Sequence, residues 1–143
     1  MITKVVDRLL LSDYADAVEE SLVANGVKTV LSVCHECIPK YRVDVRHVIL
    51  PLEDGKAIPK EYYDIAIKLI RDRIKVGKVL VHCCSGVSRS PVIILAYLMS
   101  CGFSYDEAYS FLSSKKPIIN PHPELIRSLA AYFSQRSPNS EAV

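Results

Sequence analysis

Five residues that can do chemistry fall within nine positions: His82, Cys83, Gly86, Arg89 and Ser90, in HCCSGVSRS. An apolar stretch, KVLV, runs in, and another, PVIILAYLM, runs out. The first reads as a strand apolar on both faces, the second as a buried helix. A loop between a strand end and a helix start turns its free N–H groups outward, and the helix dipole adds partial positive charge. Gly86 permits backbone angles that let such a loop wrap a tetrahedral oxyanion. Arg89, in the first helical turn, can hold two of its oxygens in a fork. The field that attracts a phosphate also stabilises a thiolate at Cys83. The stretch therefore supplies a nucleophile, a phosphate clamp and a charge sink together.

The surrounding pattern predicts the elements that hold this loop. KVVDRLLLSD reads as a strand pair or one bent strand, followed by a helix over 14–24 that Asn25-Gly26 stops. VKTVLSV and VRHVILPL read as strands, with CHECIPKYRVD an irregular loop between them. EDGKAIP is a loop. Over 59–75, Ile58, Tyr62, Ile65, Ala66, Leu69, Ile70 and Ile74 recur at helical spacing. KVLVHC is the central strand, and a helix over 90–101 ends at Gly102. Ser104-x-x-Glu107 matches a capping box and opens another helix, which Pro117 breaks; a last helix follows Pro121-His122-Pro123. The alternation predicts an α/β fold, a central mostly parallel sheet flanked by helices. One catalytic domain is expected over 1–136 and a flexible tail over 137–143.

Composition excludes several classes. A net charge of +2 gives no support for a nucleic-acid partner. The longest apolar run, PVIILAYLM, is about half the roughly 20 residues that cross a bilayer, so no membrane partner is expected. No signal peptide is evident. Five cysteines without regular spacing fit a reducing, cytoplasmic setting, or a nuclear one in a eukaryote, better than a secreted scaffold. Nothing here indicates an oligomeric state.

The motif HCCSGVSRSP…AYLM resembles the signature of the cysteine-dependent protein tyrosine phosphatase superfamily, in its dual-specificity form. LPLED and SYDEAYSFLSSKKPIINPHPEL are similar to that family's general-acid strand and C-terminal helices, and the likeness spans about 45–133. The resemblance implies hydrolysis of phosphotyrosine and phosphoserine or phosphothreonine in protein substrates, through a cysteinyl-phosphate intermediate. Cys83 would be the nucleophile. Arg89 and the backbone of Cys84, Ser85, Gly86, Val87 and Ser88 would hold the phosphoryl oxygens. Ser90 would donate to the Cys83 sulfur, and His82 would order the loop. Asp54 would protonate the leaving group and then activate water, with Glu53 its competitor. Its place suits that task independently: it follows a strand expected beside KVLVH, and Gly55 makes its loop mobile. No metal or other cofactor is expected, because the cradle neutralises the phosphate.

The remaining candidates read as structural. Cys34-x-x-Cys37 has metal or redox spacing but no second pair to complete it. Cys84 could trap Cys83 in a disulfide, yet reads as a tolerated small side chain. Cys101 and His47 read as core or helix-end and strand residues; Asp64 and Asp72 read as solvated. His122 stands where the family more often has Asn. A catalytically silent phospho-residue binder would have lost Cys83 or Arg89, and both are present. Phosphoinositides or RNA 5′-triphosphate are alternative substrates. The interior of the loop, 84–88, carries no Lys or Arg, which disfavours a multiply charged head group. With 82 residues before Cys83, no segment is spare for a tall aromatic wall, so a shallow cleft is expected, with Tyr14 and Tyr41 a partial wall.

Overall fold

The structure, a computed structural model, describes residues 1–136. The segment 137–143, read from sequence as a tail, lies outside the described residues. The sheet comprises β1 (Thr3–Val6), β2 (Leu9–Ser12), β3 (Val27–Ser32), β4 (Arg46–Ile49) and β5 (Lys78–His82), in the order β1-β2-β5-β3-β4. β1 and β2 form an antiparallel pair, turned at Arg8 with φ 67°. Every other pairing is parallel. This is the mostly parallel α/β sheet that the alternation predicts, with β1–β2 resolved as two strands.

The side-chain period of two explains the layers. Leu9, Leu11, Val79, Val81, Leu31 and Val33 face one way and pack on α2 (Lys60–Arg73), α3 (Arg89–Ser100), α4 (Tyr105–Lys115) and α5 (Pro123–Gln135). Leu10, Leu80 and Val30 face the other way, against Ala17 and Leu22 of the segment that ends in α1 (Glu19–Asn25). α3 lies at the centre of the larger layer and is buried from Arg89 to Leu98. The capping box opens α4: Ser104 Oγ accepts from Glu107 N–H, and the Glu107 carboxylate accepts from Ser104 N–H.

Three local expectations are corrected. The helix over 14–24 is shorter, because Asp13 Oδ1 accepts the Asp16 N–H and holds the chain in a turn before α1. The buried stripe of α2 is Tyr63, Ala66, Ile67 and Ile70, with Ile65 exposed, so the apolar pattern is rotated. The strand before Asp54, β4, does not lie beside β5. It pairs with β3, which separates the two. Asp54 still reaches the phosphate loop, because the parallel strands all end at the same edge of the sheet.

Candidate active site

The loop 83–88 joins β5 to α3 at that edge. Cys83 is buried. Its sulfur lies 3.1 Å from Ser90 Oγ and accepts the Gly86 N–H at 3.3 Å. Gly86 adopts φ 75°, in the left-handed region that favours glycine. Among the described residues the N–H groups of Cys84, Ser85, Ser88 and Arg89 have no hydrogen-bond partner within the protein. The turn thus keeps these donors free, while the Gly86 and Val87 N–H groups, also expected at the phosphate, bond Cys83 Sγ and Ser85 Oγ.

Arg89 is buried, and its donors are divided. Nη1 donates to Glu36 Oε1 at 2.8 Å and to the Leu52 carbonyl at 3.0 Å; Nη2 donates to Glu36 Oε2 at 2.9 Å. A guanidinium has five N–H bonds. The two left over, Nε–H and the second Nη2–H, lie along one edge, which is the geometry of a bidentate phosphate contact. Hydrogen bonding from Arg89 holds the Glu36 carboxyl down at about 2. Burial works against the Arg89 charge, but the Glu36 pairing outweighs it and its pKa is raised.

Behind the loop, one hydroxyl joins two histidines. Ser32 Oγ lies 2.6 Å from His82 Nε2 and 2.8 Å from His47 Nε2. His82 Nδ1 is 3.1 Å from the Cys83 carbonyl, which can only accept. Nδ1 therefore carries the proton, and neutral Nε2 accepts from Ser32. Ser32 in turn accepts from His47 Nε2–H. Burial lowers the pKa of both rings, as a neutral chain requires.

Asp54 docks on the loop through Ser88. The Ser88 hydroxyl donates to Asp54 Oδ1 at 2.6 Å and accepts the His122 N–H at 2.9 Å. Asn120 N–H donates to the Val87 carbonyl at 2.7 Å, so the turn before α5 buttresses the loop by its backbone. His122 Nδ1 accepts the Glu124 N–H and caps α5, the task an Asn performs as well. Its ring packs over Gly55, whose added Cβ would meet Nε2 at 3.3 Å. Glu53 instead pairs with Lys56 at 3.0 Å, in solvent.

The cysteines depart from the sequence reading. Cys84 is bonded to Cys37, across 47 positions of sequence, with Cα atoms 5.4 Å apart. It is neither a bare small side chain nor bonded to Cys83, which remains a free thiol. The partner that the Cys34-x-x-Cys37 spacing lacked is Cys84 itself: the sulfurs of Cys34 and Cys84 and a Glu36 carboxylate oxygen lie within 4.8 Å of one another. Asp64 also has a partner besides solvent, accepting from Tyr132 Oη at 2.5 Å and Lys60 Nζ at 2.9 Å.

Sequence reasoning also missed a cation. Lys116 is 91% buried, and its Nζ lies 2.7 Å from where a Gly86 Cβ would stand. Among the described residues Nζ makes no hydrogen bond. Burial lowers its pKa, against the attraction of Asp13 and Cys83. The loop interior lacks a basic residue, but α4 delivers one from outside, just ahead of the Pro117 that the sequence marks as a breaker. Glu36, Ser32 and Leu52 carried no signal of their own, because each acts through a fold contact distant in sequence.

Known proteins resemble this chain over most of its length. A family described as dual specificity phosphatase, catalytic domain, matches residues 9–135. Mouse dual specificity protein phosphatase 8 is 32% identical over 139 residues, covering 92% of this chain and 20% of that protein. Rat dual specificity protein phosphatase 18 is 31% identical over 138 residues, covering 94% of this chain and 68% of that one. The human tyrosine phosphatase-like serine/threonine/tyrosine-interacting protein superposes with a TM-score of 0.86 at 22% identity, over 93% of this chain and 95% of that chain, and speaks for the fold. The chain spans about a fifth of mouse phosphatase 8. With its matched domain built around the HCCSGVSRS loop, the chain belongs to the dual specificity phosphatase family, through that family's catalytic domain.

Proposed function

We propose that the chain hydrolyses phosphotyrosine, and phosphoserine or phosphothreonine, in protein substrates through a cysteinyl-phosphate intermediate. The observation that carries this is the pair of contacts at one sulfur: the Gly86 N–H donates to Cys83 Sγ and the Ser90 hydroxyl lies 3.1 Å from it, in the loop that Arg89 closes. The phosphoryl group rests on the free loop amides and on Arg89 Nε and Nη2. The Cys83 thiolate attacks phosphorus in line, an S–P bond forms and the P–O bond to the leaving group breaks. Asp54 gives its proton to the leaving oxygen. A water then attacks phosphorus, Asp54 takes its proton, and the S–P electron pair returns to Cys83, where the Ser90 hydroxyl stabilises it.

No step in this sequence calls on a metal. The reading is tested by acid-quenching the purified chain with a 32P-labelled phosphopeptide. Label recovered on the Cys83 peptide, and lost in Cys83→Ser, is the expected result. Turnover that persists in Cys83→Ser, or that a chelator abolishes, overturns it. A panel of phosphopeptides, phosphoinositides and triphosphorylated RNA assigns the substrate class.

A further inference from the structure

We infer that the Cys37–Cys84 disulfide is a redox-controlled positioning site, which holds Glu36 on Arg89 and is released by a dithiol. The inference rests on the phosphatase reading above and concerns how its phosphate clamp is kept in place. The segment 34–42 leaves the sheet after Val33, whose N–H still bonds the His82 carbonyl. Beyond that point, among the described residues, no backbone–backbone hydrogen bond fixes it until Val45. Cys34 Sγ donates to the Cys37 carbonyl at 3.4 Å, but this bond lies within the segment. Glu36 is therefore carried on a stretch with no ladder or helix, anchored at its far end by Tyr41 Oη on the Ala17 carbonyl and by the Arg42 and Val43 N–H groups on Glu19, while its own carboxylate also accepts the His35 N–H. Its side chain is 45% exposed, so water competes for the carboxylate.

The covalent tie at the next residue, Cys37, compensates. It fastens the segment to Cys84, inside the loop that Arg89 closes. Glu36 then occupies one edge of the guanidinium and leaves Nε–H and one Nη2–H for a phosphoryl group. Without the tie, Glu36 spends part of its time in solvent, and Arg89 loses the carboxylate that sets its orientation. The nucleophile takes no part: Cys83 is a free thiol while the bridge is closed.

Both bridged cysteines are partly exposed, so a small dithiol reaches them. One dithiol sulfur attacks a bridge sulfur and the S–S bond breaks, leaving a mixed disulfide. The second dithiol sulfur then closes a ring and expels the remaining protein thiolate. Two electrons pass from the dithiol to the bridge, and Cys37 and Cys84 each end with a proton.

The test compares the chain purified without reductant, the same chain in dithiothreitol, Cys37→Ser/Cys84→Ser, Glu36→Gln and the triple variant. Non-reducing peptide mapping should show a 37–84 cross-link with Cys83 open to alkylation. Tungstate, a phosphate analogue, should inhibit the bridged chain roughly tenfold more tightly than the bridge-less variant, about the worth of one charge-assisted hydrogen bond. Removing the bridge from Glu36→Gln should change nothing further, because bridge and carboxylate act in series. If the double variant fails to fold, dithiothreitol should weaken tungstate binding to the wild type by the same factor, reversibly. A cross-link mapped to Cys34, tungstate binding insensitive to the bridge, or additive effects in the triple variant overturn the inference. A wild type that binds no tungstate in any state overturns the phosphatase reading and this inference with it.

Discussion

The Ser88 hydroxyl donates to Asp54 Oδ1 over 2.6 Å while accepting the backbone N–H of His122. One side chain of the phosphate loop thus fixes the carboxyl of a separate loop, and both hydroxyl roles are used. The contact leaves Oδ2 to carry the proton that the proposed chemistry moves. It also means that the loop at Gly55 is docked when the phosphate site is assembled.

From this follows a leaving-group test. Asp54→Asn should lower kcat on phosphoserine or alkyl phosphates by roughly 10²–10⁴-fold, and far less on aryl phosphates with good leaving groups. Ser88→Ala, which keeps the carboxyl but frees it, should show the same selectivity at roughly tenfold. Steady-state kinetics on a series of leaving groups checks both. If Glu53→Gln produces the pattern and Asp54→Asn does not, the acid is one residue away.

The clamp predicts a second asymmetry. Arg89→Lys keeps the charge but removes the planar fork that serves Glu36, Leu52 and the anion at once. Turnover should fall by at least about 10²-fold, and tungstate affinity should fall with it. Cys83→Ser should retain tungstate binding and lose turnover, since a serine hydroxyl does not ionise near neutral pH. Equal loss of binding in both variants would show that Cys83→Ser had disturbed the loop rather than the chemistry.

The cradle was legible because it is local. Strand, Cys83, Gly86, Arg89 and helix lie within one stretch, and their types state what the turn must do. The class of the sheet followed from alternation, and the capping box from Ser104 and Glu107. The misplaced features are those decided by distant contacts. β4 sits beyond β3 because strand order is a tertiary choice that no local pattern records. Cys84 meets Cys37 across two strands and a helix, so neither spacing revealed the bridge. Lys116 looks like a solvated charge at a helix end until α4 is packed beside Gly86.

The histidine chain sets an acid limit on stability. His47 and His82 have pKa values lowered by burial, so the folded chain keeps both neutral where the unfolded chain, with His near 6.5, takes up protons. Their contribution is complete above about pH 7 and is lost as pH falls below about 6.5. Glu36, lowered to about 2 by Arg89, adds a separate loss between about pH 4.5 and 2. Thermal melts across pH should show two descending stages, with the lower one smaller in Glu36→Gln, where Asp64 and Asp72, whose carboxyls are also held down, still contribute. A Tm that is flat between pH 7 and 5 would contradict the neutral assignment of the Ser32 chain.

Substrate range turns on the surface next to the cradle. Tyr14 N–H donates to the Cys84 carbonyl, so Tyr14 borders the phosphate loop directly. A groove of about 700 Å³ runs from it, lined by Val18, Glu19, Pro39, Tyr41 and Arg42 among others. Tyr41 is committed to the fold, since its hydroxyl donates to the Ala17 carbonyl and its ring packs on His47 with centroids 5.1 Å apart. Tyr14, 43% exposed, is the aromatic side chain of this groove left available to flank a substrate. A single exposed ring makes one side of a cleft, not an enclosing wall, so a short phosphoserine should also reach Cys83. Phosphotyrosine should react faster, because its phenolate leaves more readily and because Tyr14 can stack on it. On matched peptides that differ only at the phosphorylated residue, Tyr14→Ala should raise KM for phosphotyrosine several-fold and leave phosphoserine and phosphothreonine nearly unchanged. An equal effect on all three would assign Tyr14 to holding the loop through Cys84, and complete absence of phosphoserine hydrolysis by the wild type would mean a pocket deeper than one ring can build.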